Sequence, residues 1–568
     1  MFTFQHHTDN SKVLTGVVLP RDTGTSQLTG VVSIHVFQTL DGNEIQLFEI
    51  TLNNFAPSTA GAEAWITHDM SIVVASNSLE TMIPGIIRRL RGGDQARFLV
   101  GVVNKDSIKP GTPISDVQVL IDGRPVGNQW DAIAGIPDFY PGDDSLMTHE
   151  SAEWFDNAKF GLFVHWGIYS VPAWTVRDAH NPANESSAVW THHKEVYGED
   201  FLYDDFFQDE FNATEFVQFV ADIGAKYFVI TTKHHDGFAL FDTGNSSNRN
   251  SLLHGPKRDL IGEIVNATKA TQPQLHTGLY FSLPEWFNPA FAKNAYNSSE
   301  YEPYTGYIEV DDFLQDIMKP QMEALFYQYE TDILWCDIGG PTVFPDIAPR
   351  WFNWAKENGR QVIANARCGA NYSDFDVKLR KWESSEGSDP DSYGYNQDTP
   401  DANYRNATYI LHSLIDIVSK NGNYLIDIGP TANGTVVSPS RTSLLKVGEW
   451  LKFAGEAIYD TQYWYVTAEE DDLRFTTKPD AFYIISLSYP INGTLRSVSP
   501  LPLKDGDVAT FLGPNQSPKE LAWSWSENGV FELVADEEVL AMVQDAWAFK
   551  ITYTQRIDQM NHSAVPNE

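Results

Sequence analysis

The sequence predicts a multidomain protein: a central (β/α)8-like TIM barrel flanked by an N-terminal and a C-terminal β-sandwich domain. Three observations carry this. The chain has 568 residues, enough for three or four domains of about 150 residues each. From about residue 145 to 462, apolar strand-like runs alternate with helical stretches, the pattern of a parallel sheet covered by helices. On either side the chain reads as short β runs cut by Gly, Pro, Asn and Asp, without long helical periodicity.

Residues 1–140 form the N-terminal sandwich-like unit, through TGVVL, GVVSIHVF, EIQLFEITL, MSIVVAS and DVQVLI. AGIPDFYPGDDS is a linker of turn-forming residues. The barrel, 145–462, takes its strands from FGLFVHW, KYFVITT, HTGLYFS, DILWCD, QVIANA and NYLIDIG. Its helices include TEFVQFVADIGA, DDFLQDIMKPQMEALFYQYE and RNATYILHSLIDIVSK. The first of these has Thr214 as the candidate N-cap and Phe216, Phe219, Val220 and Ile223 on one face. SRTSLLKVGEWLKFAGEAI closes the barrel. Residues 463–568 return to β runs, including LAWSWSE, where Trp523 and Trp525 alternate as a strand face would and read as core.

A net charge of −37 opposes binding to nucleic acid or anionic membranes. No apolar run is long enough to span a bilayer. Two cysteines, Cys336 and Cys368, rule out a disulfide framework. They read as a buried pair of free thiols, with a single bridge as the alternative. Eleven N-x-[ST] sequons, at Asn184, Asn212, Asn245, Asn266, Asn297, Asn371, Asn406, Asn433, Asn492, Asn515 and Asn561, favour a secreted glycoprotein. The opening MFTFQHHTDNSK shows no apolar signal region.

Polar residues gather where the barrel strands end, the face on which such folds place their chemistry. FGLFV runs into His165, VITT into Lys233, His234, His235 and Asp236, and TGLYFS carries Tyr280. DILW runs into Cys336 and Asp337, and IANA into Arg367. Asp337 precedes Ile338-Gly339-Gly340, where backbone can approach a ligand closely. Glu383 lies in RKWESSEG after the next strand, with Glu386 close by. Two acids facing each other across a sugar are the apparatus of glycoside hydrolysis. A metal reading of the paired histidines needs a third ligand, for which His165 is the candidate, but no HExxH or clustered-Asp spacing supports it.

Six blocks then resemble, in order, the α-L-fucosidases of glycoside hydrolase family 29. They are WFDNAKFGLFVHWGIYSVPAW (154–174), GAKYFVITTKHHDGFALF (224–241), LYFSLPEW (279–286), ILWCDIGG (333–340), NGNYLIDIGP (421–430) and WLKFAGEAIYDT (450–461). The resemblance covers roughly residues 150–462 and implies a barrel that releases L-fucose from terminal α-L-fucosides without metal or cofactor. The partners it implies are fucosylated oligosaccharides or glycoconjugates. By resemblance Asp337 is the nucleophile and Glu383 the acid/base, with Glu386 the alternative to Glu383. His165, Trp190, His234, His235, Tyr280, Trp335 and Arg367 match the sugar-binding positions. Ile338 stands where the family pattern has glycine, and Val189 where an acidic sugar ligand precedes Trp190.

The implied reaction is double displacement with retention, for which the two carboxyls should lie about 5–5.5 Å apart. Tyr280 and Arg367 would hold the carboxylates, and the histidines would bond the sugar hydroxyls, both entering the mouth if the backbone turns at Gly237. Trp335 or Phe238 would face the fucose methyl group. The missing acid before Trp190 motivates a rival, an inactive fucose-binding protein. Further rivals are a glycosidase of different sugar preference and a metal-dependent hydrolase.

Overall fold

The computed structural model describes residues 36–40, 43–54, 65, 69–173, 191, 195–196, 210–286, 288–291, 306–369, 381–514 and 519–553. TGVVL, most of GVVSIHVF, Val189 and Trp190 lie outside the described residues.

The N-terminal strands form two four-stranded antiparallel sheets. One contains Val36–Leu40, Asn43–Asn53, Gln95–Asn104 and Leu79–Ile83; the other contains Gly85–Ile87, Met70–Ala75, Thr112–Ile121 and Arg124–Ala134. Alternate residues of both sheets meet in one buried cluster. Phe48, Ile50, Val100 and Val102 come from the first sheet, and Ile72, Val74, Val117 and Val119 from the second. This is how two sheets with one apolar face each shed water.

The central region holds seven parallel strands: β1 (Phe160–Val164), β2 (Tyr227–Lys233), β3 (His276–Ser282), β4 (Ile333–Asp337), β5 (Ile363–Ala364), β6 (Trp382–Gly387) and β7 (Gly422–Ile428). Their order is β5-β4-β3-β2-β1-β7-β6, so the chain winds from β1 to β5 and returns through β6 and β7 to β1. That is the order of a barrel. Among the described residues β5 and β6 do not pair, so the sheet is seven-stranded and open there, rather than the closed eight of the sequence reading. All seven residues of β2 are buried, because both faces are covered, and this is why the strands read as continuous apolar runs. Phe163, Tyr227, Val229, Tyr280, Trp335 and Leu425 point inward. Their chain neighbours Leu162, Phe228, Leu334 and Ile426 join the outer core.

Helices α1 (Ala213–Asp222), α2 (Leu260–Thr271), α3 (Lys319–Tyr327), α4 (Phe344–Glu357), α5 (Ala407–Ser419) and α6 (Ser438–Ala454) accompany the strands. The N-cap of α1 is Asn212, not Thr214: the Asn212 side chain accepts from the backbone N–H groups of Thr214 and Glu215. The single helix expected over DDFLQDIMKPQMEALFYQYE divides into a π-helical turn, Leu314–Met318, and α3, whose Pro320 lies in the first turn.

The C-terminal strands form a nine-stranded antiparallel sheet. Its buried Phe475, Phe482 and Phe549 are continuous with the outer core of the barrel, whereas the N-terminal sandwich keeps a core of its own. Trp523 and Trp525 pack on that shared core, as read. The N-terminal sheets are tied to the C-terminal one by a buried ion pair, Arg89 to Asp507, through contacts of 2.5 and 2.7 Å. The free-thiol reading of the cysteines is overturned: Cys336 and Cys368 are joined by a disulfide, because the end of β4 and the 3-10 turn after β5 bring their Cα atoms to 5.0 Å.

Candidate active site

The site is built where β1 to β4 end. Strand β2 changes register against β3 between Thr231 and Lys233, and a turn follows, closed by the Gly237 N–H on the His234 carbonyl at 3.0 Å. Gly237 has φ +78°, which glycine adopts without strain. The irregularity and the turn together re-aim the chain, so neighbouring histidines both enter the mouth. His234 stacks on Tyr280, centroids 5.5 Å apart and planes 10° off parallel. His235 stacks on Trp286 at 4.3 Å and places Nε2 3.5 Å from Asp337 Oδ2. Burial, then the neighbouring His235 and His165, push His234 well below its ordinary value. A neutral ring of this kind offers one donor and one acceptor to a hydroxyl-bearing ligand.

Asp337 ends β4 and is the focus of the site. The Tyr280 hydroxyl donates to its Oδ2 at 2.8 Å, and Arg367 Nη1 and the Ile338 N–H each donate to its Oδ1 at 2.8 Å. Burial alone would raise this carboxyl. The hydrogen bonds from His235 and Tyr280, with the charge of His235, outweigh burial and hold it well below the usual carboxylate range.

Glu383, on β6, also faces inward and is held by different partners. Tyr227 donates to Oε2 at 2.6 Å and the Trp335 indole to Oε1 at 3.1 Å. Burial pushes its carboxyl up to about 7, against the pull of these two hydrogen bonds and of the Lys381 charge. Tyr227 opens β2 and Trp335 lies two residues short of Asp337, so Glu383 is anchored deeper in the barrel than Asp337. Glu386, an odd number of residues further along β6, turns to the outside. It is bonded there by Tyr424, which points to the outer core, by Tyr409 of α5, and by Arg405.

His165 Nδ1 lies 2.6 Å from Asp427 Oδ1, a buried pair bridging β1 and β7. Burial raises Asp427 to about 7 although the His165 charge opposes it. The structure thus brings His165, His234, His235, Tyr280, Trp335, Asp337 and Arg367 to one mouth, with Glu383 below. Phe238 does not join them: it is buried in the outer core. The sequence reading missed Asp427, Tyr227, Trp286 and Tyr393, whose ring is 5.3 Å from His165. Asp427 carried the same strand-end signal, in NYLIDIG. Tyr227 begins its strand and Tyr393 lies between β6 and α5, so neither had one.

Among the described residues, His234, His235 and Asp337 place ligand-type atoms within 4.8 Å of one another. His165, the third ligand of the metal reading, is not in this group. Arg367 already sets a fixed positive charge on the same carboxylate, which opposes a second cation there.

Comparison with known proteins agrees with this geometry. The family model for alpha-L-fucosidase matches residues 133–456. Tissue alpha-L-fucosidase of Bos taurus is 34% identical over 445 residues, spanning 73% of this chain and 92% of that protein. Plasma alpha-L-fucosidase of Homo sapiens is 32% identical over 429 residues, spanning 69% and 87%. Among solved structures, Thermotoga maritima alpha-fucosidase in complex with fucose superposes with a TM-score of 0.62 at 29% identity, covering 73% of this chain and all of that one.

Proposed function

The chain belongs to the alpha-L-fucosidase family, glycoside hydrolase family 29, and from that premise we propose how its residues release L-fucose from terminal α-L-fucosides. The observation that carries the assignment is a pair of inward carboxyls pushed in opposite directions. Asp337 is held ionised and Glu383 is raised to about 7. Environments that separate two carboxyls in this way separate a nucleophile from an acid. Asp337 attacks the anomeric carbon as the C–O bond to the leaving group breaks. By the family resemblance Glu383 gives its proton to the departing oxygen, although Tyr227 and Trp335 hold it below the mouth. Water, losing a proton to Glu383, then cleaves the fucosyl–Asp337 ester and frees the sugar with retained configuration. His165, His234, His235 and Arg367 bind and orient the sugar, Trp335 faces its methyl group, and Trp190 completes the set. Fucosylated oligosaccharides or glycoconjugates are the substrates, and residues 145–462 are the catalytic unit.

Release of nitrophenol from 4-nitrophenyl α-L-fucoside by wild type, Asp337→Asn and Glu383→Gln tests this. Asp337→Asn should lower kcat by about a thousandfold or more. Glu383→Gln should harm a fucosyl disaccharide, whose leaving group needs the proton, far more than the aryl fucoside. Full turnover by Asp337→Asn would overturn the nucleophile, and equal losses on both substrates would overturn the acid. Binding of fucose without turnover by wild type would favour the inactive-lectin reading.

We also propose that the protein is an exported glycoprotein. The disulfide fits an oxidising compartment, and the sequon asparagines Asn212, Asn245, Asn266, Asn406 and Asn492 are exposed. A natively produced protein whose mass is unchanged by an N-glycan endoglycosidase would count against it.

A further inference from the structure

We propose that the Cys336–Cys368 disulfide is a positioning device for the nucleophile, holding Arg367 on Asp337 beyond the point where the β4–β5 ladder stops. This rests on the reading of Asp337 as nucleophile. The β4–β5 ladder has only two register pairs, Ile333 with Ile363 and Leu334 with Ala364. Asp337 and Arg367 both lie three residues further on, past the last pair. Each is the chain neighbour of a bridged cysteine: Cys336 precedes Asp337 and Cys368 follows Arg367.

Two anchors replace the missing ladder. The Asn365 side chain accepts from the Cys336 N–H and donates to the Cys336 carbonyl, both at 2.9 Å. The disulfide then ties Cys336 to Cys368, on the far side of Arg367. Arg367 is therefore bracketed, at the centre of the short 3-10 turn Ala366–Cys368. Its own bond to Asp337 could not supply this restraint. The Arg367 side chain is 56% exposed, and ion pairs that open to water hold little. A bond that must be present at every turnover needs its geometry fixed by its surroundings.

Side-chain alternation keeps the staple clear of the sugar. Asp337 points into the mouth, whereas Cys336, one residue earlier, points into the outer core. Both cysteines are fully buried, so the bond is shielded from thiols in solution. It acts as a permanent brace.

The test is a double-mutant cycle on the full chain with 4-nitrophenyl α-L-fucoside. It compares wild type, Cys336→Ser/Cys368→Ser, Arg367→Ala, and all three substitutions together. Thermal unfolding confirms that each is folded at the assay temperature. Removing the disulfide from wild type should lower kcat by about tenfold or more while KM moves less than about threefold, the signature of a misplaced reacting group. In the Arg367→Ala background the same removal should change kcat less than about twofold, because the residue it acts through is gone. Equal losses in both backgrounds, or none in wild type, would overturn the proposal. If the serine pair does not fold, Cys336→Ala/Cys368→Val carries the same cycle. Should that also fail to fold, the bond supports the barrel rather than the site, and the proposal falls. Failure of the underlying reading shows separately, as an Asp337→Asn variant that keeps its turnover.

Discussion

Glu383 is the residue on which the proposed pH behaviour turns. As an acid it must carry a proton, so kcat/KM should fall as pH rises through about 7, where burial has placed it. The Tyr227 hydroxyl donates to its carboxylate and so favours the ionised form. Tyr227→Phe removes that donor, leaving the effect of burial less opposed. The alkaline limb of the kcat/KM profile should therefore move to higher pH, by up to about one unit. A limb that stays in place would show that another group governs it. The strand-end residues of this site were legible in sequence because barrels put chemistry there. The tuning of Glu383 was not, since it depends on a tyrosine that opens another strand and an indole across the barrel. The separate fates of Glu383 and Glu386 follow only from β6 being a strand with alternating faces. The cysteines misled for a similar reason: the spacing of 336 and 368 says nothing of the end of β4 meeting the turn after β5.

At the scale of the element, the turn after β4 adopts a backbone conformation that has an energetic consequence. Ile338, Gly339 and Gly340 have φ of +64°, +80° and +123°. The glycines meet this freely, but Ile338 is β-branched, and its Cβ crowds the backbone in the left-handed region. Its side chain is 60% exposed, so burial returns little for that strain. Its N–H is nonetheless useful, since it donates to Asp337 Oδ1. Ile338→Gly keeps the N–H and relieves the crowding. Set against the extra freedom glycine gains when unfolded, the change should stabilise the barrel by about 1 kcal/mol. The expected readout is a rise of about 1–3 °C in the unfolding temperature, with Ile338→Val unchanged. A fall for Ile338→Gly would mean that the exposed isoleucine packs on something that holds the turn. Helix ends show the same limit of sequence reading. Asn212 and Thr214 are both fair caps by type, and only the path of the chain into α1 selects Asn212.

Across the whole molecule, alternation of strand and helix announced the barrel order, and β runs announced the flanking sheets, because both follow from burial period alone. What the period could not reveal is how the cores join: the C-terminal sheet shares the barrel core, while the N-terminal sandwich leans on it through Arg89 and Asp507. Raised carboxyls and the depressed His234 pull the pH dependence of stability in opposite directions below about pH 6.5, and the carboxyls are the more numerous. Three carboxyls, the half-buried Asp236 and Glu383 and the buried Asp427, are each raised to about 7, loss of hydration being the largest cause in every case. In the unfolded chain they would titrate near 4. Between about pH 4 and 7 the folded state therefore holds more protons, and stability falls as pH rises through that window. Asp337 has the opposite shift; its contribution is lost only as pH falls below the unfolded value, so it stays constant above about 5. The net charge of −37 adds self-repulsion that grows as carboxylates ionise. The unfolding temperature should thus be higher at pH 5.5 than at pH 8. Asp236→Asn offers a control, because Asp236 Oδ1 accepts the Phe238 N–H and an amide oxygen can do the same. That variant should flatten the slope between the two pH values without lowering the unfolding temperature at pH 8. A wild-type unfolding temperature that climbs from pH 5.5 to 8 would mean that these three carboxyls do not dominate the proton balance of folding.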